Sequence, residues 1–129
     1  MVSTLLIVDD EAAIRDELTE SLSKEGFDCL SANSGKEGIN ILRSNPDVSI
    51  ILTDLQMPNH GGFEMIKAAR SDQSEERQLE VIVITGHCTT EQAIRASDLG
   101  VLEFIPKPFD VDHILEVVRH AENQLQKRG

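Results

Sequence analysis

Four short, largely apolar runs, Leu5 to Val8, Ile50 to Leu52, Val81 to Ile84 and Leu102 to Ile105, lack the alternation of a half-solvated strand. Helix-length amphipathic stretches separate them, so the pattern fits parallel strands buried on both faces. Each run ends on side chains that carry chemistry: Asp9 and Asp10, then Thr53 and Asp54, then Thr85, then Pro106 and Lys107. In an open α/β sheet the carboxyl ends of parallel strands share one edge. Three carboxylates, a hydroxyl and an ammonium are therefore expected to meet there.

Strands are expected over residues 4–8, 27–32, 48–53, 80–84 and 101–105. A helix over residues 11–25 carries Ile14, Leu18 and Leu22 at four-residue spacing, and Gly26 closes it. Ser34 and Glu37 have capping-box spacing before a helix with Ile39 and Leu42, which Pro46 stops. The loop from Gln56 through Pro58 and His60 to Gly62 leads into a helix with Phe63 and Ile66, and residues 72–78 read as a polar linker. Thr89 and Gln92 again match a capping box, and Gly100 ends the helix that follows. Asp110 caps a last helix with Ile114, Leu115, Val118, Ala121 and Leu125 along one side, ending in a polar segment. Strands alternating with helices imply right-handed crossovers, hence an α/β sandwich of three layers with a doubly wound parallel sheet at its centre. The 129 residues are expected to form one domain, with residues 122–129 a polar tail or the start of a linker.

The chain has 12 basic against 23 acidic residues, a net charge of −11. Such a surface repels phosphate backbones, which argues against direct nucleic-acid binding and for basic or cationic partners. Its two cysteines, Cys29 and Cys88, have no metal-ligand or CxxC spacing. With no membrane-spanning stretch and no signal-peptide pattern at the start, the expected location is the cytoplasm.

Clustered carboxylates repel one another unless a cation sits among them, and an oxygen-only set suits Mg²⁺ or Mn²⁺ rather than zinc. Lys107 adds a compact positive charge and Thr85 a hydroxyl donor. A divalent ion, fixed positive charge and an in-line carboxylate nucleophile are what phosphoryl transfer onto an aspartate needs. Taken singly the residues have plainer readings. Asp9 and Asp10 suit a helix cap, Thr85 a strand, Lys107 a loop charge and Phe104 a core aromatic. Asp54 resists such a reading, since it ends a nearly all-apolar strand where an unpaired carboxylate is costly. His60, His87, His113 and His120 lack ligand spacing. The stripe on the last helix is core packing, and any exposed share of it is open to partner binding, including a phosphorylation-dependent homodimer.

The ordered set of Asp9-Asp10, Asp54-x-x-Met57-Pro58, Thr85 and Lys107-Pro108 resembles the receiver domain of two-component response regulators, including its chemotaxis-type members, from Leu5 to about Leu125. The resemblance implies a flavodoxin-like (βα)5 fold with strand order 2-1-3-4-5. It makes Asp54 the phosphoacceptor, Asp10 a direct Mg²⁺ ligand, Asp9 a ligand largely through water, and the Gln56 main-chain carbonyl a further contact. Thr85 becomes the switch hydroxyl, Phe104 the switch aromatic and Lys107 the phosphate-pairing ammonium, with Lys107-Pro108 cis. Gln56 and His87 occupy positions that tune the lifetime of the acyl phosphate. The implied partners are a histidine kinase or histidine phosphotransfer protein and a downstream effector or output domain. The module then acts as a switch, not an enzyme, catalysing only its own phosphorylation and dephosphorylation. Gly61 departs from the pattern where an acidic residue is common, and Pro106 departs where a residue with a backbone donor is usual.

Two other readings use the same sheet. A haloacid-dehalogenase-like phosphatase needs D-x-D-x-T after the first strand, where this chain has Asp9-Asp10-Glu11-Ala12-Ala13. A flavodoxin-like cofactor carrier needs a Ser-, Thr- and Gly-rich phosphate loop at that place, and the acidic residues oppose it. The module is expected either to stand alone or to belong to a longer regulator or hybrid kinase, the latter slightly favoured.

Overall fold

A computed structural model describes residues 3–57, 61–71 and 78–128. Pro58 and His60, and nearly all of the expected linker, lie outside the described residues. The strands are β1 (Thr4–Val8), β2 (Asp28–Ala32), β3 (Val48–Thr53), β4 (Glu80–Thr85) and β5 (Glu103–Pro106). They alternate with helices α1 (Ala12–Lys24), α2 (Gly35–Ser44), α3 (Gly62–Ser71), α4 (Thr90–Asp98) and α5 (Val111–Arg128). All strand pairs are parallel, and the sheet order is β2-β1-β3-β4-β5.

The missing alternation in the strands has a direct cause. Leu6, Val8, Ile51, Val81 and Val83 face one apolar layer with Leu42, Phe63, Met65, Ile66 and Ala96, drawn from α2, α3 and α4. Their chain neighbours Leu5, Ile7, Ile50, Leu52, Ile82 and Ile84 face the other, with Leu18, Leu22, Ile114 and Val118 from α1 and α5. Both sheet faces are covered, so both sets of alternate side chains must be apolar. Each fully buried Leu or Ile contributes roughly 1.5–3 kcal/mol of transfer free energy.

Helix ends follow local chemistry. Ser34 Oγ accepts the Glu37 N–H at 3.1 Å, but the Glu37 carboxylate reaches the Asn33 N–H instead of that of Ser34, so only half of that box closes. Thr89 and Gln92 close both halves of theirs. Gly26 and Gly100 end α1 and α4 in the left-handed region, at φ 95° and 76°. Asp110 Oδ1 accepts the Asp112 N–H at 2.9 Å and caps α5. That helix runs through Arg128, so most of the expected polar tail is helical, with Leu125 against the core and Glu122 accepting the Ser3 hydroxyl at 2.9 Å.

Strand limits differ from expectation at four places: β2 begins one residue later, at Asp28, β4 runs one residue further, through Thr85, and both ends of β5 move. β5 begins at Glu103, opposite Ile82, with the apolar side chains of Val101 and Leu102 packed just before it and the Leu102 N–H already donating to the Val81 carbonyl at 2.8 Å ahead of the regular register. It also runs through Pro106, opposite Thr85, with the next donor supplied by Lys107 N–H to the Thr85 carbonyl at 2.9 Å. Donors alternate along an edge strand, so the N–H that Pro106 lacks would have pointed to the open edge.

Candidate functional site

β1, β3 and β5 end together, and the residues just beyond them, Asp9 with Asp10, Asp54 and Lys107, form one cluster, while Thr85 closes β4 opposite Pro106. Asp54 is 3% exposed; its N–H donates to the Val8 carbonyl at 3.0 Å, which continues the β1–β3 ladder and fixes where the carboxylate sits. Its Oδ1 accepts the Gln56 N–H at 2.9 Å and its Oδ2 accepts Lys107 Nζ at 2.8 Å. Asp9 is equally buried; its Oδ1 accepts the Glu11 N–H at 2.9 Å and its Oδ2 lies 2.9 Å from Lys107 Nζ. Asp10 is exposed and offers a third carboxylate, all three ligand oxygens lying within 4.8 Å of one another.

Burial raises the Asp9 pKa above its ordinary 3.8, more than the Glu11 N–H and Lys107 lower it, and the Asp54 charge adds to the rise. For Lys107 burial acts downward, yet the Asp54 and Asp9 carboxylates together outweigh it and hold the ammonium above 10.5. The difference between the partners is physical: Lys107 gains from two carboxylates, whereas Asp9 shares one ammonium with Asp54. Without divalent cation, a raised Asp9 pKa means the folded state holds its proton longer than the unfolded one. Stability should therefore decline as pH rises from 3.8 through the folded value, and Asp9→Asn should flatten that part of a urea-denaturation pH profile. An unchanged slope would contradict this assignment.

Of the other expected site residues, Thr85 is buried and its hydroxyl donates to the His87 carbonyl at 3.1 Å, not toward Asp54. Phe104 is half-buried, paired with Val83 and packed in the α2–α4 layer, two residues along the ladder from the Thr85–Pro106 pair. The Lys107–Pro108 peptide is cis. Gln56 is exposed and its side chain reaches the loop after β4, where it donates to the His87 carbonyl at 3.2 Å. His113 and His120 are exposed on α5, apart from the cluster.

Three contributors escaped the sequence reading. Glu11 Oε1 lies 3.7 Å from Lys107 Nζ, Arg15 Nη1 donates to the Asp9 carbonyl at 2.7 Å, and Gln92 Oε1 lies 3.4 Å from Gln56 Nε2. Glu11 and Arg15 had a signal, since Asp9, Glu11 and Arg15 fall within the entry and first turns of one helix. Gln92 had only its capping role to mark it.

Three close carboxylates, two of them buried with a single ammonium between them, suit a hard divalent cation in both charge and donor type. The chain matches the model of the family described as "Response regulator receiver domain" over residues 5–119. It is 32% identical over 95% of its length to "DNA-binding transcriptional regulator NtrC" of Klebsiella pneumoniae. With "Regulatory protein AtoC" of Escherichia coli K12 it shares 33% identity over 93% of its length. It spans 25% of each of those two proteins. A CheY-like response regulator receiver domain protein from Methanospirillum hungatei JF-1 superposes with a TM-score of 0.91 at 25% identity, over 100% of both chains. Neither the phosphatase nor the cofactor-carrier reading gains support from these matches. With the sheet order, the strand-end cluster and a family match along most of its length in agreement, the chain belongs to the response regulator receiver domain family.

Proposed function

We propose that Asp54 accepts a phosphoryl group from a phosphohistidine on a histidine kinase or histidine phosphotransfer protein. Asp9, Asp10, Asp54 and the Gln56 main-chain carbonyl would hold the Mg²⁺ that this needs, with Mn²⁺ able to substitute. The observation that carries the reading is Asp54 Oδ2 held 2.8 Å from Lys107 Nζ within the group of three carboxylates. Bound there, the cation offsets the carboxylate charge and draws charge from the phosphoryl oxygens. An Asp54 oxygen attacks phosphorus, the P–N bond breaks, and the imidazole nitrogen leaves with its electron pair and is protonated from water. Lys107, already bonded to Asp54, stays beside the transferred group and pairs with one of its oxygens.

The added charge draws the Thr85 hydroxyl away from the His87 carbonyl. Phe104 turns inward as it moves, and the face formed by α4, β5 and α5 changes its preference for an output domain or separate effector. Phosphorylated copies pair through that face. Gln56 and His87 set how water reaches the acyl phosphate. Residues 1–129 act as one receiver domain, a signalling module that catalyses only its own modification, in the cytoplasm; among the described residues no helix is long and apolar enough to cross a membrane.

Phosphoramidate with Mg²⁺ tests this reading by intact mass. The wild-type chain should gain one phosphoryl group and Asp54→Asn none; equal stoichiometry in the two proteins would refute it.

A further inference from the structure

The Gln56 side chain bridges two elements that the phosphoacceptor must influence. Its Nε2 donates to the His87 carbonyl at 3.2 Å and to Gln92 Oε1 at 3.4 Å. An amide NH₂ has two donors, and here each finds an acceptor. Gln92 starts α4: its Oε1 also accepts the Thr89 N–H at 3.0 Å, while Thr89 Oγ1 accepts the Gln92 N–H at 3.1 Å. The His87 carbonyl, in turn, is the acceptor that holds the Thr85 hydroxyl. One residue, whose main-chain N–H donates to Asp54 Oδ1, thus touches through its side chain both the anchor of Thr85 and the cap of α4.

We propose that Gln56 is a positioning residue that ties the first turn of α4 to the phosphoacceptor loop and holds the β4–α4 connection in its unphosphorylated arrangement. The tie stands on the hydrogen bonds alone; its consequence for switching rests on Asp54 being the phosphoacceptor. A displaced connection must give up both Gln56 bonds, so the tie opposes displacement and a ligand that favours the displaced arrangement works against it. Neutral hydrogen bonds at an exposed site are modest. The effect is several-fold rather than absolute.

Gln56→Met keeps the side-chain length and removes both donors, whereas Gln92→Glu keeps an acceptor for Thr89 and for Gln56. Hydrogen exchange of the Thr89, Gln92 and Ala93 amides is read by NMR, first in chelator and then with Mg²⁺ and beryllofluoride, a tetrahedral stand-in for the phosphoryl group. In chelator, Gln56→Met should speed exchange at these amides by roughly three- to tenfold, on the order of one hydrogen bond, with α1 unchanged and Gln92→Glu close to wild type. Beryllofluoride should then speed α4 exchange in the wild type and change Gln56→Met less. Equal rates in Gln56→Met and wild type, or Gln92→Glu as fast as Gln56→Met, would overturn the tie. A wild-type chain indifferent to beryllofluoride would instead count against the phosphoacceptor reading, with the comparison in chelator still deciding the tie.

Discussion

Lys107→Met is expected to destabilise the folded chain by about 3 kcal/mol in chelator, the lower end for removing one partner of a buried ion pair. The Lys107 side chain is 14% exposed and each of its buried partners, Asp9 and Asp54, 4% exposed, so its loss leaves two close carboxylates with no ammonium between them. Methionine fills the same volume, which separates the lost charge from a cavity. Mg²⁺ should restore much of the stability, because, held by Asp9, Asp10 and Asp54, it would offset the same carboxylate charge. It should not restore the rate of phosphoryl transfer, which is expected to fall about 10²–10³-fold with the loss of a preorganised charge at the transferring group. Urea denaturation and phosphoramidate kinetics, each with and without Mg²⁺, read the two effects. A variant within about 0.5 kcal/mol of wild type in chelator, the range of an ordinary surface substitution, would contradict the charge argument.

Gly62→Ala is expected to cost about 3 kcal/mol, at the upper end for overpacking, and to slow phosphorylation as well. A Cβ there would overlap the Asp54 carbonyl oxygen and come within 3.0 Å of Asp54 C and Leu55 Cα. All three obstacles are backbone, so no side-chain rotation relieves them. The connection from β3 to α3 must open, and with it the Gln56 N–H that steadies Asp54 Oδ1. Gly86→Ala is the control: its Cβ would meet only Lys107 side-chain atoms at 3.9 Å, ordinary contact, and stability should stay within about 0.5 kcal/mol of wild type. Equal effects from the two substitutions would show that the close approach at Gly62 is not what constrains the loop.

The site's main parts were legible because they sit on strand ends, where a short-period pattern in the chain fixes position in space. Asp9, Asp54, Thr85 and Lys107 each follow an apolar run, and parallel pairing brings such positions to one edge. β3 matches its expected limits for the same reason, being apolar almost throughout and buried on both faces. Edges were harder. Val101 and Leu102 carry a strand's apolar pattern but precede the regular β4–β5 register, although the Leu102 N–H already bonds the Val81 carbonyl, and the Pro106 tolerance depends on which way an edge-strand donor points. The Gln56–Gln92 and Glu11–Lys107 contacts join segments distant in the chain through polar side chains at the sheet edge. No periodicity marks such pairs, because their partners are set by the assembled edge and not by neighbours in the chain. The length of α5 was hidden similarly, since a polar end is helical here as long as Leu125 still reaches the core.

Mapping the modified residue tests the central claim most directly. The wild-type chain is treated with acetyl phosphate in Mg²⁺ or in chelator, the acyl phosphate is reduced with borohydride, and peptides are sequenced by mass spectrometry. The gathering of Asp9, Asp10 and Lys107 around Asp54 predicts homoserine in place of Asp54 alone, with Mg²⁺ and not with chelator. Reduction at another carboxylate, or equal labelling of Asp54 without divalent cation, would contradict it.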